Sequence, residues 1–263
     1  MTNDYIEVVY TEQYILLTLN QPETLNAFSK EMIFSLCVEL RSIKEKNFSK
    51  PLILTGNGKA FSSGGNLEIM KDFVDQQSGP DYIQSIVPHV NELIHLLLDY
   101  NGPTLAILNG SAVGGGFNVA MACDFRLVFD KAKFKMGFID IGLTPATGNS
   151  FFLPKVLGIA KTMSLSLLSE TITAQDLLHW GLCNELFTEE TFESLREKWI
   201  VKISLLDPWQ VKKVRELLYA GVNNSFTEQL ELELQTILEA SSRDIFKDKV
   251  TQRYTEISSK KRT

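Results

Sequence analysis

Ile6, Val8 and Tyr10 alternate with polar residues, Thr11-Glu12-Gln13 interrupts, and an apolar run resumes from Tyr14 to Leu19. This pattern predicts an antiparallel hairpin. Ser29 then precedes Met32, Ile33, Leu36, Cys37, Leu40 and Ile43, which share one face of a helix that Ser29 would cap. Leu52-Ile53-Leu54 reads as a short buried strand, and the order strand, helix, strand favours a parallel pair with a right-handed crossover. Residues 81 to 100 carry Ile83, Ile86, Val87, Val90, Leu93, Ile94, Leu97 and Leu98 at helical spacing, flanked by His89 and His95. Strands follow at Thr104 to Leu108 and Phe125 to Phe129, then a short strand and turn over Phe134 to Gly142. Thr144 to Asn149 leads into a helix, and Thr173 can cap another over Ala174 to Gly181. After Asn184 to Phe187, the last strand candidate, residues 189 to 258 read as three or four amphipathic helices. The chain is therefore expected to be α/β over 1–200, with a helical assembly region over 201–263.

Composition narrows the partners. With 44% hydrophobic residues over 263, one sizeable core is possible. A net charge of -6 gives no electrostatic case for nucleic acid, and the run Lys260-Lys261-Arg262 reads as a solvated tail. Cys37, Cys123 and Cys183 are dispersed among apolar residues, which suggests reduced core thiols. The first residues lack the pattern of a signal or transit peptide, the last three are no peroxisomal address, and no apolar segment reads as a membrane span. A cytoplasmic location without a membrane partner is the expectation.

The chemistry concentrates in two glycine-rich stretches. Gly110-Ser111-Ala112-Val113-Gly114-Gly115-Gly116-Phe117-Asn118 follows an apolar strand and leads into a helix, which places the Gly115 and Gly116 amides at that helix's start. The spacing fits neither a dinucleotide fingerprint nor a P-loop, since Gly58-Lys59 is followed by Ala60. The second stretch, Gly56 to Leu67 with Ser62-Ser63-Gly64-Gly65-Asn66, lies beyond another strand. Loops at the carboxyl ends of neighbouring strands share a crevice, so one donor from each could clamp a single oxygen. No metal or separate cofactor is called for.

These residues resemble the crotonase, or enoyl-CoA hydratase/isomerase, family over nearly the whole chain. The resemblance rests on Leu19-Asn20-Gln21-Pro22 with Asn26-Ala27-Phe28, and on Leu54-Thr55-Gly56 with Ala60 to Leu67. It extends to Gly110 to Asp124, and to Ile141 to Pro145 with Leu153-Pro154-Lys155 and Gly158. It implies a spiral of ββα turns with C-terminal helices, a homotrimer or dimer of trimers, and acyl-CoA thioesters as substrates, with coenzyme A arriving as part of the substrate. It further implies that Ser63 and Gly115 donate the backbone N–H groups holding the thioester oxygen. Asn26, Ala27, Phe28, Gly64, Gly65, Asn66 and Leu67 would border CoA, and Gly114, Phe138 and Ala146 the acyl pocket.

The departures from the family pattern shape the expected reaction. Its two catalytic glutamates fall at Asn118 and Phe138, and a third acidic position at Ala146, so ordinary water addition lacks its bases. An isomerase needs one base, and Asp140 is the nearest carboxylate. Decarboxylation of a malonyl-like or polyketide thioester needs only the clamp, although the decarboxylases this segment resembles use a late histidine and none follows His179 here. Two other readings are a CoA-thioester binder without turnover and a serine hydrolase acting through Ser62.

Overall fold

The computed structural model describes residues 4–260, and most of the Lys260-Lys261-Arg262 run lies outside the described residues. The chain divides into one compact unit through Pro208 and a second from Trp209.

In the first unit, β1 (Ile6–Tyr10) and β2 (Ile15–Leu19) form the expected antiparallel hairpin, closed by Thr11, whose Oγ1 accepts from the Tyr14 N–H at 2.9 Å. Ser29 caps α1 (Lys30–Glu45) by accepting from the Met32 N–H, and all six residues of the expected inner face are buried. β3 (Leu52–Gly56) then pairs parallel with β2.

From here the chain repeats one plan. A strand joins the large sheet, a short strand joins a second sheet, and a helix returns. β3 is followed by β4 (Ala60–Ser62), then α2 (Leu67–Asp75) and α3 (Gly79–Leu98). β5 (Thr104–Leu108) is followed by β6 (Ser111–Val113) and α4 (Gly115–Met121). β7 (Phe125–Phe129) is followed by β8 (Lys133–Lys135) and α5 (Asn149–Leu168). With β9 (Ile172–Thr173), α6 (Ala174–His179), β10 (Glu185–Phe187) and α7 (Phe192–Ser204), the large sheet runs β1-β2-β3-β5-β7-β10 and the small one β4-β6-β8-β9. The expected ββα turns are thus present in the mixed α/β fold.

The sequence reading needs three corrections. Ser111 to Val113 is a strand within the glycine stretch, and α2 and β9 were not anticipated. The core continues past residue 200, because Leu195, Trp199, Ile200 and Ile203 of α7 pack with Ile53, Leu105, Ile107, Leu127 and Phe187. Lastly, α5 is long and apolar enough by length and composition to cross a bilayer. Its backbone breaks at Gly158 (φ 74°, ψ 164°), so neither half has the roughly 20 continuous residues a span requires.

The second unit holds most of α8 (Pro208–Ala220), α9 (Phe226–Ser241) and α10 (Asp244–Lys260). Ser225 and Glu228 form a capping box at the start of α9. The three cysteines are buried and form no disulfide with one another, and burial pushes the Cys37 thiol up to about 12 and Cys183 to about 11.

Asn26 fastens the turn between β2 and α1 to β4. It is fully buried, accepts from the Gln21 N–H at 2.9 Å, and donates to the carbonyls of Asn57 and Ala60 at 2.9 and 2.8 Å. Its φ of 54° also lies in the left-handed region, which asparagine tolerates better than alanine. Asn26→Ala is therefore expected to cost about 3 kcal/mol, from unpaired buried groups and the unfavourable φ. Chemical denaturation checks this, and an unchanged midpoint would show that the turn holds without that side chain.

Candidate active site

Two loops meet because two short strands pair. β4 and β6 run parallel with Ala60 opposite Ser111 and Ser62 opposite Ala112, so the chain leaves both at the same end. Gly64 (φ 83°) follows β4 and Gly114 (φ 52°) follows β6. A Cβ on Gly64 would lie 2.6 Å from the Val113 carbonyl oxygen, so only glycine permits this approach. The same point is 3.7 Å from the Gly115 nitrogen, which measures how close the loops come.

Beside this junction is a cavity of about 370 Å³. One face of α3 lines it with Tyr82, Ile83, Ile86, Val87 and Val90. Phe28, Leu67 and Met70 close one side, and Met136, Phe138, Ile141, Leu143, Ala146 and Thr147 the other. Ser63, Gly64, Gly65, Gly114 and Gly115 border it with backbone. Part of the α3 stripe that periodicity marks as core is thus cavity wall. Neither His89 nor His95 borders the cavity.

The donors differ from those the resemblance implies. The Ser63 N–H donates to the Leu25 carbonyl at 2.9 Å, and the Gly64 N–H to Ser62 Oγ at 3.1 Å. Both amides are therefore committed inside the loop. Among the described residues no partner is found for the Gly65 N–H or for the Gly115 N–H, and both residues border the cavity. Gly65 thus replaces Ser63 as the available donor, while Gly115 keeps its place. Gly116 is not at the cavity, and its Cα faces Ser62, whose Oγ would lie 2.8 Å from an added Cβ.

The other expected residues separate into cavity wall and scaffold. Phe28, Gly64, Gly65, Leu67, Gly114, Phe138, Asp140 and Ala146 border the cavity. Asn26 is the scaffold side chain described above, and Ala27 is buried away from the cavity. Asn66 caps α2, accepting from the Glu68 and Ile69 N–H groups at 3.0 and 3.1 Å. Asn118, 1% exposed, donates to the Ala146 carbonyl at 3.0 Å and to Thr147 Oγ1 at 2.8 Å, and accepts from Asn149 at 3.1 Å. Its role is to pin the wall carrying Ala146, and it has no free donor for a substrate. Ser62 is also enclosed, donating to the Asn26 carbonyl at 2.8 Å, which removes the hydrolase reading.

Among the described residues Asp140 is the one carboxylate that borders the cavity. Its Oδ2 pairs with Lys135 Nζ at 2.8 Å and accepts from Ser169 Oγ at 2.9 Å. The hydrogen bond from Lys135, then that from Ser169, holds its pKa below the ordinary 3.8. It is thus a weak but permanently ionised base at neutral pH, with its side chain 40% exposed.

Comparison with known proteins agrees with this architecture. The family described as Enoyl-CoA hydratase/isomerase matches residues 11–261. The chain is 30% identical over 218 residues to the 1,2-epoxyphenylacetyl-CoA isomerase of Escherichia coli K12, covering 82% of each. It is likewise 30% identical over 245 residues to a trans-2-decenoyl-[acyl-carrier-protein] isomerase of Streptococcus mutans, covering 89% of this chain and 90% of the other. A crystal structure of an enoyl-CoA hydratase from Polaromonas superposes with a TM-score of 0.88 at 25% identity, covering 95% of this chain and 97% of that one. With the repeating ββα turns, the glycine loops and a match along nearly its whole length, the chain belongs to the enoyl-CoA hydratase/isomerase, or crotonase, family.

Proposed function

We propose that this chain binds an acyl thioester with its carbonyl oxygen between the Gly65 and Gly115 N–H groups and isomerises it through the enolate. The observation that carries the reading is the pair of unpartnered backbone donors where the loops converge on an apolar cavity. Donors fixed by the fold stabilise charge as it develops on oxygen without reorganising, which is the condition for acidifying the α-carbon of a thioester. The names of the two isomerase relatives, which specify CoA and acyl-carrier-protein thioesters, support the substrate class.

One-base chemistry suits the walls. Asn118, Phe138 and Ala146 offer no carboxylate, so the two groups that water addition normally uses are missing. In the proposed step Asp140 takes a proton from the acyl carbon next to the double bond, and the electron pair moves onto the thioester oxygen. The same proton returns two carbons away as the carbonyl reforms and the double bond shifts. Apolar walls exclude water, which would otherwise intercept the enolate. Decarboxylation is the second reading, favoured by the same lack of carboxylates, because loss of CO₂ yields the enolate with no base. We also propose self-assembly, supported by exposed apolar side chains such as Leu205 in the first unit and Phe226 in the second, at 79% and 80%.

Three outcomes are expected when the protein is incubated in deuterium oxide with enoyl-CoA thioesters and followed by mass spectrometry. Gly115→Pro deletes one donor at the first helical position, where proline is tolerated, and should lower exchange about 10² to 10³-fold. Ser63→Ala keeps its backbone N–H and should leave exchange nearly intact, and equal losses in both would argue for a side-chain role of Ser63 instead. Asp140→Asn should lower isomerisation by about 10² or more, whereas unchanged turnover would remove Asp140 as the base. Because Asp140 has a lowered pKa, its base form persists as pH falls, and the rate should show no acid limb centred above pH 3.8. Such a limb, present in the wild-type rate profile and abolished in Asp140→Asn, would show that Asp140 titrates higher and contradict the ion-paired carboxylate described here.

A further inference from the structure

Among the cavity walls one polar group stands apart. Tyr82, on the first turn of α3, is 4% exposed, and among the described residues no hydrogen-bond acceptor is found for its fully buried hydroxyl. Burial raises its pKa, the Asn66 backbone N–H pulling the other way, so the phenol is protonated at neutral pH and carries an O–H to donate. A buried hydroxyl without an acceptor destabilises the fold, and a phenylalanine of the same shape would avoid that cost. The ring is held edge-on against Phe73 with centroids 5.6 Å apart, so the hydroxyl's direction is set by packing.

That direction leads to the donor loop. A Cβ on Gly65 would lie 3.3 Å from the Tyr82 oxygen and 2.2 Å from Met70 Cε. The point is one bond from the Gly65 Cα, so the hydroxyl lies beside the Gly65 backbone at the cavity wall, and the nearest atom to that point is the flexible tip of Met70. Methionine is unbranched and readily changes rotamer, so an entering acyl group can displace that tip.

We infer that Tyr82 donates a hydrogen bond to an oxygen of the acyl thioester bound at Gly65, either the thioester carbonyl or an oxygen on the acyl chain. The inference rests on the thioester reading above. It makes Tyr82 a substrate-contacting donor left unpaired until the ligand arrives, with Met70 closing the empty site. A bound oxygen that fails to reach the hydroxyl loses one donor, which gives the site a means of selecting the acyl chain's position.

Tyr82→Phe tests this, with affinities for butyryl-CoA and 3-hydroxybutyryl-CoA measured by calorimetry beside the melting temperature. The expected result is a variant at least as heat-stable as wild type that binds tenfold or more weakly. Weakening of both ligands assigns the thioester oxygen, and weakening of 3-hydroxybutyryl-CoA alone assigns a chain oxygen. Unchanged affinity for both overturns the inference, as does weakening accompanied by a lower melting temperature, which would mark the hydroxyl as structural. Binding by the wild type without isotope exchange would sink the enolate reading while leaving Tyr82 to be judged by affinity. Failure of the wild type to bind either thioester would overturn both.

Discussion

The parallel pairing of β4 with β6 is the constraint on which the site depends. Each strand is three residues long, yet the pairing sets the chain's two exits side by side, and the glycines that follow allow the backbones to touch. A side chain on Gly64 would strike the Val113 carbonyl and force the loops apart. Neither amide would then share a target. The larger sheet and its helices keep these short strands in register, since β4 and β6 each continue directly from a buried strand of that sheet, β3 and β5.

Around the fixed donors, the walls determine which reactions are open. Where a carboxylate at position 118 could act as a base, Asn118 binds Ala146, Thr147 and Asn149 and turns a catalytic position into a brace. Phe138 fills another such position with apolar surface. What remains is a largely apolar cavity bordered by the Gly65 and Gly115 backbone, by Asp140 with its partner Lys135, and by Tyr82. That set favours chemistry in which charge appears on the thioester oxygen over chemistry requiring an activated water.

Much of the fold was legible in the residues because local signals and burial agree. The hairpin, the Ser29 cap, the six-residue inner face of α1 and the parallel β2–β3 pair all follow from periodicity and capping. The short strands were harder. Ser111 to Val113 lies inside a glycine-rich segment and is held by pairing with β4 and β8, a tertiary effect with no local pattern. The two glycine loops were legible, but not which amide of the first is held inside it: the Ser63 N–H, expected to face the ligand, donates to the Leu25 carbonyl. Whether Ser63 or Gly65 keeps a free amide depends on the Leu25 carbonyl, nearly forty positions earlier, reaching one of them. Asn26 and Asn66, which the resemblance places beside CoA, also tie their turns, a role no local pattern revealed. Tyr82 carried no signal, since an aromatic residue on an apolar stripe reads as core.

The central claim is that the Gly65 and Gly115 amides together polarise one thioester carbonyl. Isotope-edited infrared spectroscopy of butyryl-CoA labelled with ¹³C at that carbonyl measures this polarisation on the bound ligand. The account predicts a carbonyl stretch at lower frequency on the protein than in water. A band at the aqueous position or above it, with the ligand shown to be bound, would contradict it.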